Sequence, residues 1–177
     1  MKNLFSKKNI KINKDYDFIS EIWTLDRPSI PMDEIFVHDI KYTGKSAKEK
    51  VDEVRLEMEK MGGDYYLLGS LDDIAWLYNF RGSDVPFVPV AASYALISKD
   101  KAYLFIDTKK VSKEVLDHFN ENNIKVVEID KVRDKLQNIE KGKTIFYDRR
   151  RINCYLYDSI NKDCNKKSID EITTKLK

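Results

Sequence analysis

A layered α/β/α domain with a mixed sheet is the fold class that this 177-residue sequence predicts, and the order of its apolar runs is the reason. Runs rich in β-branched and aromatic residues alternate with stretches of helical period, the pattern of a sheet with helices packed on its faces. Residues 93–98 and 101–107 are separated only by Lys99 and Asp100, so they pair as an antiparallel hairpin and make the sheet mixed rather than wholly parallel. The length suits one domain that buries a core without help from a metal or a disulfide.

Residues 1–29 are polar and lysine-rich, and Pro28 and Pro31 turn the residues before them away from helix. This stretch reads as a connector from a preceding domain, and residues 30–177 as the folded domain. Trp23 either packs onto that domain or marks the end of the preceding one.

Ser46-Ala47-Lys48-Glu49 has the S-x-x-E form of a capping box and predicts a helix start. Ala47, Val51, Val54, Met58 and Met61 lay one apolar stripe along that helix, and Gly62-Gly63 ends it. Tyr65 to Leu68 reads as a buried strand. Ser70 is the N-cap of a helix through Leu71–Tyr78, which Asn79-Phe80-Arg81-Gly82-Ser83-Asp84 terminates; Asp72 and Asp73 serve as its capping acids. Pro86 and Pro89 hold the next segment extended before the hairpin. Ser112 caps a helix whose Val115, Leu116 and Phe119 face inward, and Ile124 to Ile129 forms a strand with Val126 and Val127 buried. Val132, Leu136 and Ile139 mark a short helix that Gly142 ends, Thr144 to Tyr147 a strand, and Ile152 to Ile160 a helix. Beyond Asp163 the chain is polar, and Ile169, Ile172 and Leu176 are too sparse to assign.

Charge narrows the function classes. The 32 basic and 30 acidic residues leave a net +2, which argues against a dedicated nucleic-acid or membrane surface. No apolar run reaches the length of a membrane span, and the N-terminal stretch has no continuous apolar core of a secretory signal, so the expected location is cytoplasmic. Cys154 and Cys164 form no CxxC pair, and both are read as reduced thiols. No glycine-rich phosphate loop is present, so a nucleotide has no motif to hold it.

Arg81 and Asp84 are the candidate substrate-binding residues. A guanidinium offers a planar fork matched to a peptide carboxylate. The other reading of the same pair is structural: backbone hydrogen bonds and an ion pair fix the loop, and Gly82 supplies a special backbone angle. Trp76 lies in an apolar stretch and reads as core. Asp72, Asp73, Asp84, Asp107 and Asp148 would have to converge to serve a two-metal nuclease, and their spacing gives no sign of it. Arg149-Arg150-Arg151 reads as a solvated element end or an interdomain contact. His38 and His118 fall outside any triad or metal motif and read as ordinary loop or surface histidines.

Asp72-Asp73-Ile74-Ala75-Trp76-Leu77, Asn79-Phe80-Arg81-Gly82-Ser83-Asp84, Pro86 with Pro89, and Ser93-Tyr94-Ala95-Leu96 together resemble the middle domain of the three-domain aminopeptidases P, the X-prolyl aminopeptidases. Ile22-Trp23, Arg27-Pro28, Pro31, Ile35-Phe36-Val37-His38, Tyr42-Thr43-Gly44-Lys45-Ser46, Lys50 and Val54-Arg55 follow the same order, so the resemblance runs from about Ile22 to Asp107. It implies a ribonuclease H-like sheet of the creatinase/prolidase N-terminal type. It also implies a parent enzyme that releases a residue ahead of proline, using two divalent metals (manganese, zinc or cobalt) held by Asp, Asp, His, Glu and Glu of a catalytic domain absent from this chain. This chain is then no enzyme alone and needs no cofactor. Its partners are the preceding and catalytic domains, with peptide substrate reached only through the full enzyme; a homodimer stays open. Its work is packing, shaping of the substrate entrance and assembly. The alternative is an independent α/β binding module that uses the Arg81 loop or Arg149–Arg151.

Overall fold

The computed structural model describes Phe5, residues 7–11, Asn13 and residues 16–177. Residues 1–30 and 31–177 form separate compact units. In the first, helix α1 (Phe18–Ile22) starts at Asp17, whose carboxylate accepts the amide protons of Ile19 and Ser20.

The second unit opens with β1 (Phe36–Val37) and a short helix α2 (Ile40–Thr43). Helix α3 (Ala47–Lys60) begins at the expected capping box: Ser46 accepts from the Glu49 amide, and Glu49 accepts from the Ser46 amide. Gly62 follows its last turn at φ 73°, a left-handed angle that glycine adopts without strain. Strand β2 (Tyr65–Leu68), helix α4 (Leu71–Leu77) and strand β3 (Phe80–Arg81) come next, and β3 pairs antiparallel with β1. The hairpin β4 (Tyr94–Ser98) and β5 (Ala102–Ile106) precedes α5 (Lys113–Glu121) and β6 (Ile124–Glu128). Then follow α6 (Val132–Gln137), β7 (Thr144–Tyr147), α7 (Cys154–Ser159), β8 (Asn165–Ser168) and α8 (Ile172–Leu176).

Among the described residues the main sheet has the strand order β6-β5-β4-β2-β7-β8. The β2–β4 and β4–β5 pairs are antiparallel, and β5–β6, β2–β7 and β7–β8 are parallel, so the sheet is mixed. Strand side chains alternate between faces. Tyr66, Leu68, Ala95, Ile97, Leu104 and Phe146 enter one core layer, under α3, α4 and α5. Leu67, Leu96, Phe105, Ile145 and Tyr147 enter the other, under α6 and α7. Helices therefore cover both faces, giving the three layers expected.

Several local expectations change. Leu116 points outward, because Val115 and Phe119 alone occupy the buried face of α5. Val126 and Val127 are only partly buried, since β6 is an edge strand. The polar tail does hold structure: β8 is an edge strand that exposes most of its surface, and α8 buries Ile172 and Thr173. Lys166 Nζ lies 4.8 Å from the Tyr157 ring centroid and Lys167 Nζ 5.4 Å from that of Phe146, so the β8 lysines cover aromatic rings.

Candidate functional site

The Arg81 loop begins where α4 ends, and basic side chains collect at that end. A helix leaves its last carbonyls unpaired and carries partial negative charge there. Arg81 NH1 donates to the Ala75 carbonyl at 2.9 Å and to that of Phe80 at 2.8 Å. Lys50 Nζ, on α3, donates to the Trp76 carbonyl at 2.9 Å. His118, on α5, approaches the Tyr78 carbonyl at 3.0 Å through Nε2, which therefore carries the proton. Asn79 turns the chain out of the helix at φ 53°, a left-handed angle that asparagine tolerates better than most residues. Its Oδ1 accepts from Lys50 Nζ at 2.6 Å and its Nδ2 donates to the Lys45 carbonyl at 2.8 Å.

Lys50 is the unusual member. Burial, joined by the charges of Arg81 and Lys45, lowers its pKa to about 8. Its ammonium also lies 4.5 Å from the centre of the Trp76 ring, and Trp76 is half-buried against the core rather than enclosed by it. The sequence carried one signal for Lys50: its number falls inside the stripe Ala47, Val51 and Val54, on the buried face of α3.

Asp84 closes the loop with a different partner. Its Oδ2 accepts from Lys110 Nζ and, at 2.6 Å, from the Ala92 amide, and both side chains of the Asp84–Lys110 pair are almost wholly buried. The ion pair of the structural reading is thus Asp84 with Lys110, and Arg81 is committed to carbonyls. Gly82 does not supply a left-handed angle. A Cβ there would stand 2.8 Å from Ala91 Cβ and 3.1 Å from the Val90 carbonyl, so close packing is what requires glycine. Beyond it, Val85 and Val88 bridge a tight turn whose Phe87, at φ 65°, is fully exposed.

A cleft of about 630 Å³ lies beside this helix end, with His38, Asp39, Lys48, Asn79, Glu114 and His118 in its wall. Burial lowers the pKa of His38, helped by the charges of Arg81 and Lys50. His38 stacks on Tyr42 with ring centroids 5.6 Å apart. His38 and His118, read in sequence as ordinary loop or surface histidines, thus share one cleft.

The remaining candidates sit apart. Asp148 pairs with Arg150, whose NH2 reaches Asp148 at 2.9 Å and Asp170 at 2.8 Å; the Arg150 hydrogen bond is the main cause holding the Asp148 pKa low. Asp107 accepts from the Lys109 amide. Ser70 makes no side-chain cap; its hydroxyl goes to Asp72, and Asp73 is buried against Lys177 instead of capping the helix. Cys154 and Cys164 are free thiols. Among the described residues no three His, Cys, Asp or Glu side chains converge as a metal site, so they do not fit a di-metal centre.

Fold and site together define the class: a three-layer α/β domain with a mixed sheet, in which buried cations fasten a helix end and the loop that follows it. The chain belongs to the creatinase/prolidase N-terminal domain family, whose pattern matches residues 26–177. It is 37% identical over 125 residues to aminopeptidase P1 of Arabidopsis thaliana, a match covering 70% of this chain and 19% of that protein. It is 34% identical over 148 residues to a probable Xaa-Pro aminopeptidase P of Coprinopsis cinerea, covering 84% and 24%. The chain thus spans about a fifth to a quarter of the relatives it matches. In fold it resembles the X-prolyl aminopeptidase of Caenorhabditis elegans, described as a cytosolic enzyme with a di-nuclear active site: the TM-score is 0.90 at 23% identity, over 99% of this chain and 29% of that one. No helix among the described residues is long and apolar enough to cross a membrane.

Proposed function

We propose that this chain is the non-catalytic middle domain of a cytosolic, metal-dependent X-prolyl aminopeptidase, a protein that releases the N-terminal residue ahead of proline. Its work is to pack against the preceding and catalytic domains, to shape the substrate entrance and to support assembly. The observation that carries this reading is that the Arg81 loop is tied inward. Arg81 is committed to carbonyls of Ala75 and Phe80, and Asp84 to Lys110 and the Ala92 amide. Both residues act here as scaffold rather than as ligands of a peptide. The divalent metals of the parent, manganese, zinc or cobalt, are held by residues outside this domain. A binding module is the second reading, and the cleft that His38 and His118 share is what favours it.

The test is an assay of the 177-residue chain with an X-Pro peptide and manganese. The expected outcome is no release of the first residue above the buffer rate. Activity that co-purifies with the chain and disappears in Asp148→Asn would overturn the proposal. Saturable shifts of the His38 and His118 resonances with a short peptide would instead favour the binding module.

A further inference from the structure

At the other end of α4 the structure gathers acids. Asp73, in the first turn of α4, is 1% exposed, and Glu171, just before α8, is 4% exposed. Their carboxyl groups interact directly, although two carboxylates have only acceptors to offer each other. Glu171 Oε2 and Thr173 Oγ1 are buried with no ordinary hydrogen-bond partner, and Asp73 Oδ1 meets the Lys177 ammonium without an aligned donor. A proton between the carboxyl groups turns the acceptor clash into a hydrogen bond.

We propose that Glu171 holds this proton and donates it to Asp73, and that the shared proton is the catch that fastens α8 to the domain. Helix α8 lies against α3 and α4, buries Ile172 and Thr173, and has its Ile172 amide donating to Tyr66 Oη at 3.2 Å. When Glu171 loses the proton to solvent, carboxylates at Asp73 and Glu171 face one ammonium, that of Lys177, and α8 is released. The other charged groups around Glu171 are Asp72 on α4, which Lys177 also approaches at 3.5 Å, Asp148, Arg150 and Arg151 in the segment after β7, Asp170 beside it, Lys175 on α8, and Tyr66 on β2.

The electrostatics agree in sign. Burial, and then the hydrogen bond and charge of Asp73, raise the Glu171 pKa far above the glutamate value of 4.5. Burial opposes the Asp73 carboxylate, but the Glu171 proton and the Lys177 ammonium outweigh burial and hold its pKa low. A raised acid stabilises the docked helix fully below the released-state value and loses that contribution as pH climbs to the docked-state value. The inference stands independently of the proposed peptidase role.

The experiment follows α8 and Glu171 together in the full chain. Protection of the residue 172–176 amides against hydrogen exchange, corrected for intrinsic rate, should fall about tenfold per pH unit across the span where docked Glu171 is neutral and released Glu171 is ionised. In Glu171→Gln, whose amide donates at every pH, protection should stay level. The ¹³C carboxyl signal of Glu171 in the unaltered chain should titrate well above 4.5, and magnesium chloride at neutral pH should leave it in place. Titration in the ordinary glutamate range, or saturable movement with magnesium, would overturn the proposal: the first means no held proton, the second a cation in its place. The same release in Glu171→Gln as in the unaltered chain would overturn it too.

Discussion

The ends of α4 solve opposite electrostatic problems with different means. At the C-terminal end the carbonyls of Ala75, Trp76 and Tyr78 meet Arg81, Lys50 and His118 in turn, cations or donors suited to the negative pole of a helix. At the N-terminal end Asp72 and Asp73 suit the positive pole, but Glu171 adds acid beyond what the Lys177 ammonium balances. One end is matched group by group and needs no proton shared between acids. The other is matched only while a proton is present. A short helix can thus be anchored firmly at one end and conditionally at the other.

The largest expected effect breaks the firm end. Lys110→Met removes the partner of a buried Asp84 carboxylate and should destabilise the chain by about 3–5 kcal/mol, read from urea denaturation. Loss of less than about 1 kcal/mol would mean that the carboxylate finds water or another donor in its place.

Next comes Lys50→Met, which strips donors from the Trp76 carbonyl and from Asn79 and should cost about 2–3 kcal/mol at pH 7. Its pH dependence sharpens the contrast between the helix ends. Lys50 has a folded pKa near 8, depressed from 10.5, so the folded chain sheds that proton first and gains stability as pH rises between those values. The variant lacks this gain, so its deficit should widen in alkali. At the N-terminal end the same alkali should loosen α8. Arg81→Ala is expected to be the mildest of the three, lowering stability by about 1–2 kcal/mol, because Lys50 and Asn79 still serve the helix end. A melting temperature unchanged from that of the unaltered chain would remove Arg81 from the scaffold.

Local signals made much of this fold legible. Ser46 and Glu49 announce the start of α3, and Lys99-Asp100 divides the hairpin, because caps and turns are written in neighbouring residues. The tail was not legible. Asn165-Lys166-Lys167-Ser168 has no apolar alternation, since an edge strand exposed to water needs none, and α8 is too short for a helical period to emerge. The site was legible only as a list of residue types. Arg81 stands out as a loop cation, but its carbonyl partners follow from the curl of the chain after Asn79. Lys110 and Glu171 look like surface residues in sequence. They become internal because a 3₁₀ turn at Thr108–Lys110 and the crossover to α8 bring them to Asp84 and Asp73, far away along the chain.

Strand β8 has a further consequence. An edge strand offers unpaired amides and carbonyls to any extended chain that drifts alongside, which is how sheets grow into aggregates. Here an incoming strand would have to displace Lys166 and Lys167 from the rings of Tyr157 and Phe146 and strip water from both ammonium groups. The lysines that cover these rings thus also guard the β8 margin of the sheet, and β6 forms its other margin.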